Sequence, residues 1–304
     1  MDLKPTIVLL AGPTASGKSK LAIKLSKTLN GEIVNADSMQ VYKELKILTS
    51  RPSPFDVKKI KHHLYGFISV KKNFSTGTWL NIATKKIKSI LMKRKVPILV
   101  GGTGLYFKAL VDGLVQIPDI PILLKEKIRK YHKKIGQEKF YNELLKLDPK
   151  VKNFIPKSDS QRSIRAYEVK KFTKKSLYDW IKNTKPTFDP NLFKKFFIHP
   201  SKDFLQQHIN LRMNKMFKKG VKQEVKEFLK LKIRPDLSAN KVIGIQEIKD
   251  HLVKKLTLTE VKNLIQIRTR QYVKRQFTWA RGKMSSWKII NPKNYKVILD
   301  TIVK

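Results

Sequence analysis

The strongest constraint on how this chain folds is the run Gly12-Pro13-Thr14-Ala15-Ser16-Gly17-Lys18-Ser19. It satisfies G-x-x-x-x-G-K-[ST] in full. The apolar stretch from Thr6 to Gly12 leads into it with the length of a buried strand, and Leu21, Ala22, Leu25 and Leu29 follow at helical spacing. Small residues let successive backbone N–H groups converge on phosphate oxygens, at the positive end of the helix that follows. Lys18 then reaches a terminal phosphate as a compact charge, and Ser19 offers its hydroxyl to Mg²⁺. The motif implies a bound di- or triphosphate, most often ATP or another nucleotide, but does not name the molecule.

The rest of the chain supplies the sheet such a loop needs. "EIVNAD", ending at Asp37, reads as a second strand, with Gly31 closing the helix before it. A helix from about Trp79 to Met92 leads to "VPILVGG", a third buried strand, and then to helical "TGLYFKALVDGL". Strands alternating with helices predict an α/β fold, a P-loop-type doubly wound parallel sheet. After Gly113 the pattern changes: "QIPDIPI" is a proline-punctuated linker, and charged amphipathic helices follow. "KKFFIHP" returns to the sheet, the text is helical from Ser201 to Arg281, and "SSWKII" ends in a last strand. The expected organisation is a core from 1–117, a small all-helical insertion domain at 118–190, and the rest of the core with basic helices at 191–304.

Hydrophobic residues make up 41% of the 304, enough for a packed core rather than global disorder. The absence of cysteine removes disulfides, cysteine zinc sites and thiol catalysis together. No apolar run approaches the roughly 18 residues that cross a bilayer. The first residues lack a secretory pattern, so a cytoplasmic location without membrane attachment is expected. The net charge of +43 favours a polyanionic partner. Lysine scattered along the chain says less than arginine does. Only eleven arginines occur, and seven lie in three places: Arg162 and Arg165; Arg212; and Arg268, Arg270, Arg275 and Arg281. A chain that defaults to lysine but clusters arginine needs the flat bidentate guanidinium there.

Two further residues stand at the carboxyl ends of strands, where ligands bind in sheets of this kind. Asp37 either takes a proton from a nucleophile or caps a turn. Thr103 follows Gly101-Gly102, whose small size lets backbone approach a ligand. Its hydroxyl either meets a phosphate or bridging oxygen or caps the next helix. An ATPase would end that strand in Asp or Glu for the metal, whereas here it ends in "VGGTGLY".

Six blocks in order, "GPTASGKS", "NADSMQVYKEL", "HHLYGF", "VPILVGGTGLYFKALVDGL", "SDSQRSIRAYEV" and "TRQYVKRQFTWAR", resemble the family of tRNA dimethylallyltransferases. The resemblance implies transfer of a five-carbon group from dimethylallyl diphosphate to the exocyclic amine of the adenine 3′ to the anticodon, in tRNAs reading codons that start with U. The loop from Gly12 to Ser19 would then grip an isoprenoid diphosphate, with Arg212 beside it, Mg²⁺ on Ser19, and Asp37 as base. Thr103 would lie by the bridging oxygen. The anticodon stem-loop would meet Asp37, Ser38, Met39, Gln40, Thr103, Lys125, Gln161, Arg162, Ser163, Ile164, Arg165, Lys274, Arg275, Gln276 and Arg281. Residues 268–283 hold six basic residues and no acid, interleaved with Tyr272, Phe277 and Trp279. That suits an unpaired loop whose bases stack on aromatics; as an ordinary amphipathic helix the segment would instead put Tyr272 and Trp279 in the core, which is expected of at least one aromatic. A monomer is expected.

The chain departs from the family pattern at Leu48, Arg51, His208 and Ile245-Gln246, and Lys125 stands where an arginine is usual. His62 and His63, without acidic neighbours in sequence, read as structural rather than as metal ligands. Three other readings compete: an adenylate isopentenyltransferase acting on free nucleotides, a P-loop small-molecule kinase, and a non-catalytic RNA-binding protein. The basic aromatic helix argues against the first, Asp37 and Thr103 against the second, and the complete phosphate loop against the third.

Overall fold

The structure is a computed structural model that describes residues 5–303. In chain order its elements are β1 (Ile7–Ala11), α1 (Lys18–Thr28), β2 (Gly31–Asn35), α2 (Pro54–Lys59), β3 (His62–His63), α3 (Thr76–Leu91), β4 (Val96–Gly101) and α4 (Gly104–Asp112). Then follow α5 (Ile122–Leu147), α6 (Ser160–Thr173), α7 (Leu177–Lys182), β5 (Phe193–Ile198), α8 (Lys202–Lys218) and α9 (Val221–Lys230). The chain closes with α10 (Ile245–Leu252), α11 (Leu258–Lys283), β6 (Lys288–Ile290) and α12 (Tyr295–Val303). Two compact units result, one formed by the chain up to Val111 and from Phe188 onward, the other by Asp112–Thr187.

The first unit carries one parallel sheet in the order β3-β2-β4-β1-β5-β6. Every residue of β1, β2 and β4 is buried, which is why β1 and β4 are apolar without alternation, while β2 buries Glu32 and Asn35 only with partners. On one face, Leu21, Ala22 and Leu25 of α1 and Ile298 and Ile302 of α12 pack on Val8, Leu10, Ile33, Ile98 and Phe196. Elsewhere α3 packs on β2 and β4, and its Trp79 donates to the Asn35 carbonyl at 2.9 Å while stacking on Tyr106. The parallel sheet and the return through β5 and β6 follow the pattern read from sequence.

Gly31 behaves differently from that reading. The first helix stops at Thr28, Asn30 takes the left-handed turn (φ 49°), and Gly31 opens β2. A Cβ on Gly31 would lie 2.8 Å from the Val96 carbonyl oxygen, so the position needs glycine because β4 passes too close. Neither α2 nor the two-residue β3 was anticipated. Pro54 and the Ser53–Asp56 capping box make a helix too short for a periodicity signal.

The second unit is helical, as expected. Leu144, Val151, Ile155, Ala166 and Val169 form its core, and α5 breaks at Gly136 (φ 79°). The compact unit begins at Asp112, so the proline linker groups with the insertion.

Candidate active site

β1 delivers the phosphate loop, and the Gly12 N–H donates to the Gly101 carbonyl at 3.2 Å, pinning the loop to the end of β4. Lys18 folds back to donate to the Pro13 carbonyl at 2.9 Å. Burial lowers its pKa to about 8, opposed by the negative charge of Asp37 and reinforced by Arg212. From α8, Arg212 donates to the Thr14 hydroxyl and, at 3.0 Å, to the Leu48 carbonyl. Burial pushes this guanidinium down as well, and Asp37 pushes it back up. The Ser16 hydroxyl is buried without a partner at the base of the loop.

Asp37 leaves β2 through a polar turn. Asn35 accepts the Asp37 N–H at 2.9 Å and donates to the carbonyls of Asp37 and Leu64, each at 3.0 Å. One carboxylate oxygen, Oδ1, accepts the Met39 N–H at 2.9 Å. The turn-capping role is therefore real and uses one oxygen, which leaves Oδ2 for chemistry. The charge of Asp37 is felt around the site: the hydroxyls of Tyr65, Tyr106 and Tyr272 are held above their ordinary range first by burial and then by this carboxylate. All three tyrosines stay neutral donors at physiological pH.

Thr103 faces Ser38. Its hydroxyl accepts the Ser38 N–H at 2.8 Å and donates to the Ser38 hydroxyl at 3.2 Å, so it ties the ends of β4 and β2 together. The glycines before it serve neighbours within the protein rather than a ligand. A Cβ on Gly101 would sit 1.9 Å from the Ala36 carbonyl oxygen, and one on Gly102 would sit 2.2 Å from the Gln276 amide. Gln276 accepts the Thr14 N–H at 3.0 Å and donates to the Gly102 carbonyl at 2.9 Å, stapling the phosphate loop to β4. It was expected to face RNA, yet it is buried between Val273 and Ala280. The spacing 273, 276, 280 on one helical face was the signal that sequence reasoning passed over.

Two cavities meet at this point. The larger, about 1210 Å³, is lined by Lys18, Asp37 and Arg212 together with apolar Ile209, Met213 and Met216. The smaller, about 250 Å³, is lined by Ser38, Thr103, Leu105 and Trp279. Tyr272 and Arg275 line both.

The remaining expected contacts divide by exposure. Lys274, Arg275 and Arg281 are exposed on α11, with Arg275 over the Tyr272 ring at 5.7 Å. Of the aromatics, Phe277 packs on Leu205, Ile209 and Val273, whereas Tyr272 and Trp279, the rings expected in the core, are half-buried and line the cavities. Met39 and Gln40 are half-buried, and the Gln40 amide donates to the Thr49 carbonyl at 2.8 Å. In the helical unit, Gln161 and Arg162 are exposed, while Lys125, Ile164 and Arg165 are half-buried. Arg165 stands 3.6 Å from buried Glu168, whose pKa burial raises. Ser163 is fully buried, donating to the Asp159 carbonyl at 2.8 Å and accepting from Gln137, so its side chain shapes α6 and offers no surface to RNA.

Several departures from the family pattern find partners. Leu48 fills the space beside Gly244, where a Cβ would meet its Cδ2 at 2.4 Å, and Ile245 is buried next to it. Leu48 thus meets Gly244, one residue along the chain from the second departure. Arg51 spreads its guanidinium over Gly66 and donates to the Lys43 carbonyl at 2.8 Å. His208 stacks on Phe204 with ring centroids 3.8 Å apart. His63 does have an acidic neighbour, which the sequence did not reveal: Glu32 lies 2.6 Å away and is also bridged by Lys95. His63, Glu32 and Lys95 thus link β3, β2 and the residue before β4 near the sheet edge. Among the described residues no helix is long and apolar enough to cross a membrane.

The model of the IPP transferase family matches residues 40–283. A tRNA dimethylallyltransferase of Pelagibacter ubique is 54% identical over 292 residues, spanning 96% of this chain and 93% of that protein. One from Rickettsia massiliae is 43% identical over 98% of this chain and 83% of its own length. Among solved structures, the tRNA isopentenylpyrophosphate transferase of Bacillus halodurans superposes with a TM-score of 0.69 at 29% identity, over 98% of this chain and 95% of that one. A eukaryotic dimethylallyltransferase acting on tRNA reaches a TM-score of 0.83 at 26% identity, over 96% of this chain and 75% of that one.

Proposed function

Because the chain belongs to the IPP transferase family, we propose that it moves a dimethylallyl group from dimethylallyl diphosphate to the N6 amine of the adenine 3′ to the anticodon, in tRNAs reading codons that begin with U, releasing diphosphate. The observation that carries this reading is the convergence of Lys18, Arg212 and Asp37 on one cavity, with Thr103 and Ser38 in the adjoining one.

The chemistry follows from those positions. Lys18, Arg212 and the loop N–H groups neutralise the diphosphate, so that its oxygen leaves with the electron pair of the broken C–O bond. The allylic carbon carries the developing positive charge, and the adenine nitrogen forms the new bond. The proton it sheds goes to Oδ2 of Asp37, since Oδ1 already holds the Met39 N–H. Thr103, held by Ser38, lines the smaller cavity and keeps one lone pair that neither Ser38 bond uses, available to the donor or the acceptor. The amine is stacked within an anticodon loop and must be extruded to reach this point.

The residues fit a magnesium ion gripped mainly by the substrate. Ser19 is exposed at the start of α1, beside the loop, where its hydroxyl and the diphosphate oxygens can share a hard cation. Bound there through Ser19, the ion would add charge neutralisation to the leaving group. Exposed Lys274, Arg275 and Arg281 supply phosphate contacts, with Gln161 and Arg162 on the helical unit. A cytoplasmic monomer is consistent with these roles.

Incubation with radiolabelled dimethylallyl diphosphate, Mg²⁺ and either tRNA or AMP tests the proposal. Label is expected in tRNA only. Label in AMP alone, or ATP consumption without transfer, would overturn it.

A further inference from the structure

One carboxylate outside the reacting centre is bound too tightly to be a surface ornament. Glu224, on the first turn of α9, accepts three consecutive backbone N–H groups: Lys46 at 2.7 Å and Ile47 at 2.6 Å on Oε2, and Leu48 at 2.8 Å on Oε1. Three successive amides converging on an anion form the kind of concave nest that elsewhere binds phosphate. Here the nest holds a side chain 176 residues further along the chain. The segment that makes the nest, Lys46 to Leu48, also lines the large cavity.

The same segment continues into the diphosphate site. The carbonyl of Leu48, whose N–H is held by Glu224, accepts from Arg212, and the other arm of Arg212 reaches Thr14 in the phosphate loop. Thr14 is in turn held by Gln276. A continuous series of hydrogen bonds therefore runs from α9 through residues 46–48 to Arg212 and the loop. A guanidinium is a strong phosphate ligand only when its plane is aimed. Thr14 fixes one arm of Arg212 and Leu48 the other, and the place of the Leu48 carbonyl depends on Glu224.

We propose that Glu224 is a positioning residue for the donor's diphosphate, acting through Leu48 to orient Arg212. It touches neither substrate nor the reacting atoms. The inference rests on the reading of the loop as a diphosphate site, so its test uses binding of inorganic pyrophosphate, which reports on the loop whether or not transfer to tRNA occurs.

Pyrophosphate affinity is measured by calorimetry for the full chain and for Glu224→Ala, Arg212→Ala and the double variant, with thermal stability alongside. Glu224→Ala is expected to weaken pyrophosphate binding about tenfold, the loss of one well-aimed charge-assisted hydrogen bond. In the Arg212→Ala background the same change is expected to cost less than about twofold, because the residue it aims is gone. In turnover, the KM for dimethylallyl diphosphate is expected to rise while the KM for tRNA stays within about twofold. Equal losses in both backgrounds, or unchanged affinity in a folded Glu224→Ala protein, would overturn the inference. Should the alanine variant not fold, Glu224→Gln is read by the same cycle: it keeps one acceptor oxygen and is expected to fall between the two. A chain that binds pyrophosphate with this coupling but transfers nothing to tRNA would leave Glu224 in its role and refute the proposed reaction instead.

Discussion

Lys18 titrates in a range where its effect on ligand binding is directly measurable. Burial brings its pKa to about 8, Asp37 raises it and Arg212 lowers it further. With no ligand bound, the ammonium is about nine-tenths protonated at pH 7 and about one-tenth at pH 9. Only the charged form attracts a diphosphate, and dimethylallyl diphosphate, esterified at one end, has lost most of its phosphate protons above about pH 6, whereas inorganic pyrophosphate sheds its last proton within this window. Affinity for dimethylallyl diphosphate should hold through neutral pH, break near pH 8, and then fall by up to about tenfold per pH unit. The break moves in opposite directions for two neighbours. Arg212→Met removes a cation that disfavours the ammonium, so the break shifts to higher pH even as overall affinity drops. Asp37→Asn removes the charge that favours the ammonium, so the break shifts to lower pH. Calorimetry from pH 6.5 to 10 in buffers of different ionisation enthalpy reads both the break and the protons taken up on binding. An affinity that stays flat to pH 9.5, or two variants that shift the break the same way, would refute the assignment of Lys18 as the titrating group.

Asp37→Asn should lower single-turnover transfer by about 10²–10⁴-fold, as expected for loss of a general base, while tRNA binding by filter retention changes little. Near-normal turnover would show that the proton leaves by another route. Neutralising Arg275 and Arg281 together should weaken tRNA binding and flatten the slope of log affinity against log salt by about 1 to 2. An unchanged slope would mean that this face of α11 meets no phosphate. Gly101→Ala should destabilise the fold by about 3 kcal/mol or more, because its Cβ would overlap the fixed Ala36 carbonyl. A melting temperature equal to wild type would contradict the packing of β2 against β4. Lys18→Met should raise the melting temperature at pH 7 while removing pyrophosphate binding, since a half-buried, desolvated charge without its ligand costs the folded state. The folded pKa lies below the unfolded one, so this cost is full below pH 8 and fades as pH rises toward 10.5. The variant's advantage should therefore shrink in alkaline buffer.

What the sequence determined by itself was local. The phosphate loop, the strands on either side of it and the positions of Asp37 and Thr103 at strand ends all lie in short runs whose periodicity and turn chemistry point one way. The helical insertion was legible for the same reason, as a long stretch with 3.6-residue periodicity and no strand. Gly31 was misread because its need for glycine comes from Val96 on a neighbouring strand, not from the helix it follows. His63 looked unpartnered because Glu32, 31 residues earlier, meets it only when β2 and β3 pair.

The furnishing of the site belongs to tertiary structure. Gln276 reaches Thr14 across 262 residues, Arg212 reaches the same threonine across 198, and Glu224 holds Ile47 across 177. No local pattern encodes such contacts, because a glutamine, arginine or glutamate on a helix reads the same whether it faces water or a buried amide. Packing of α8, α9 and α11 beside the loop decides which of them meet it, and desolvation there sets the charge of Lys18.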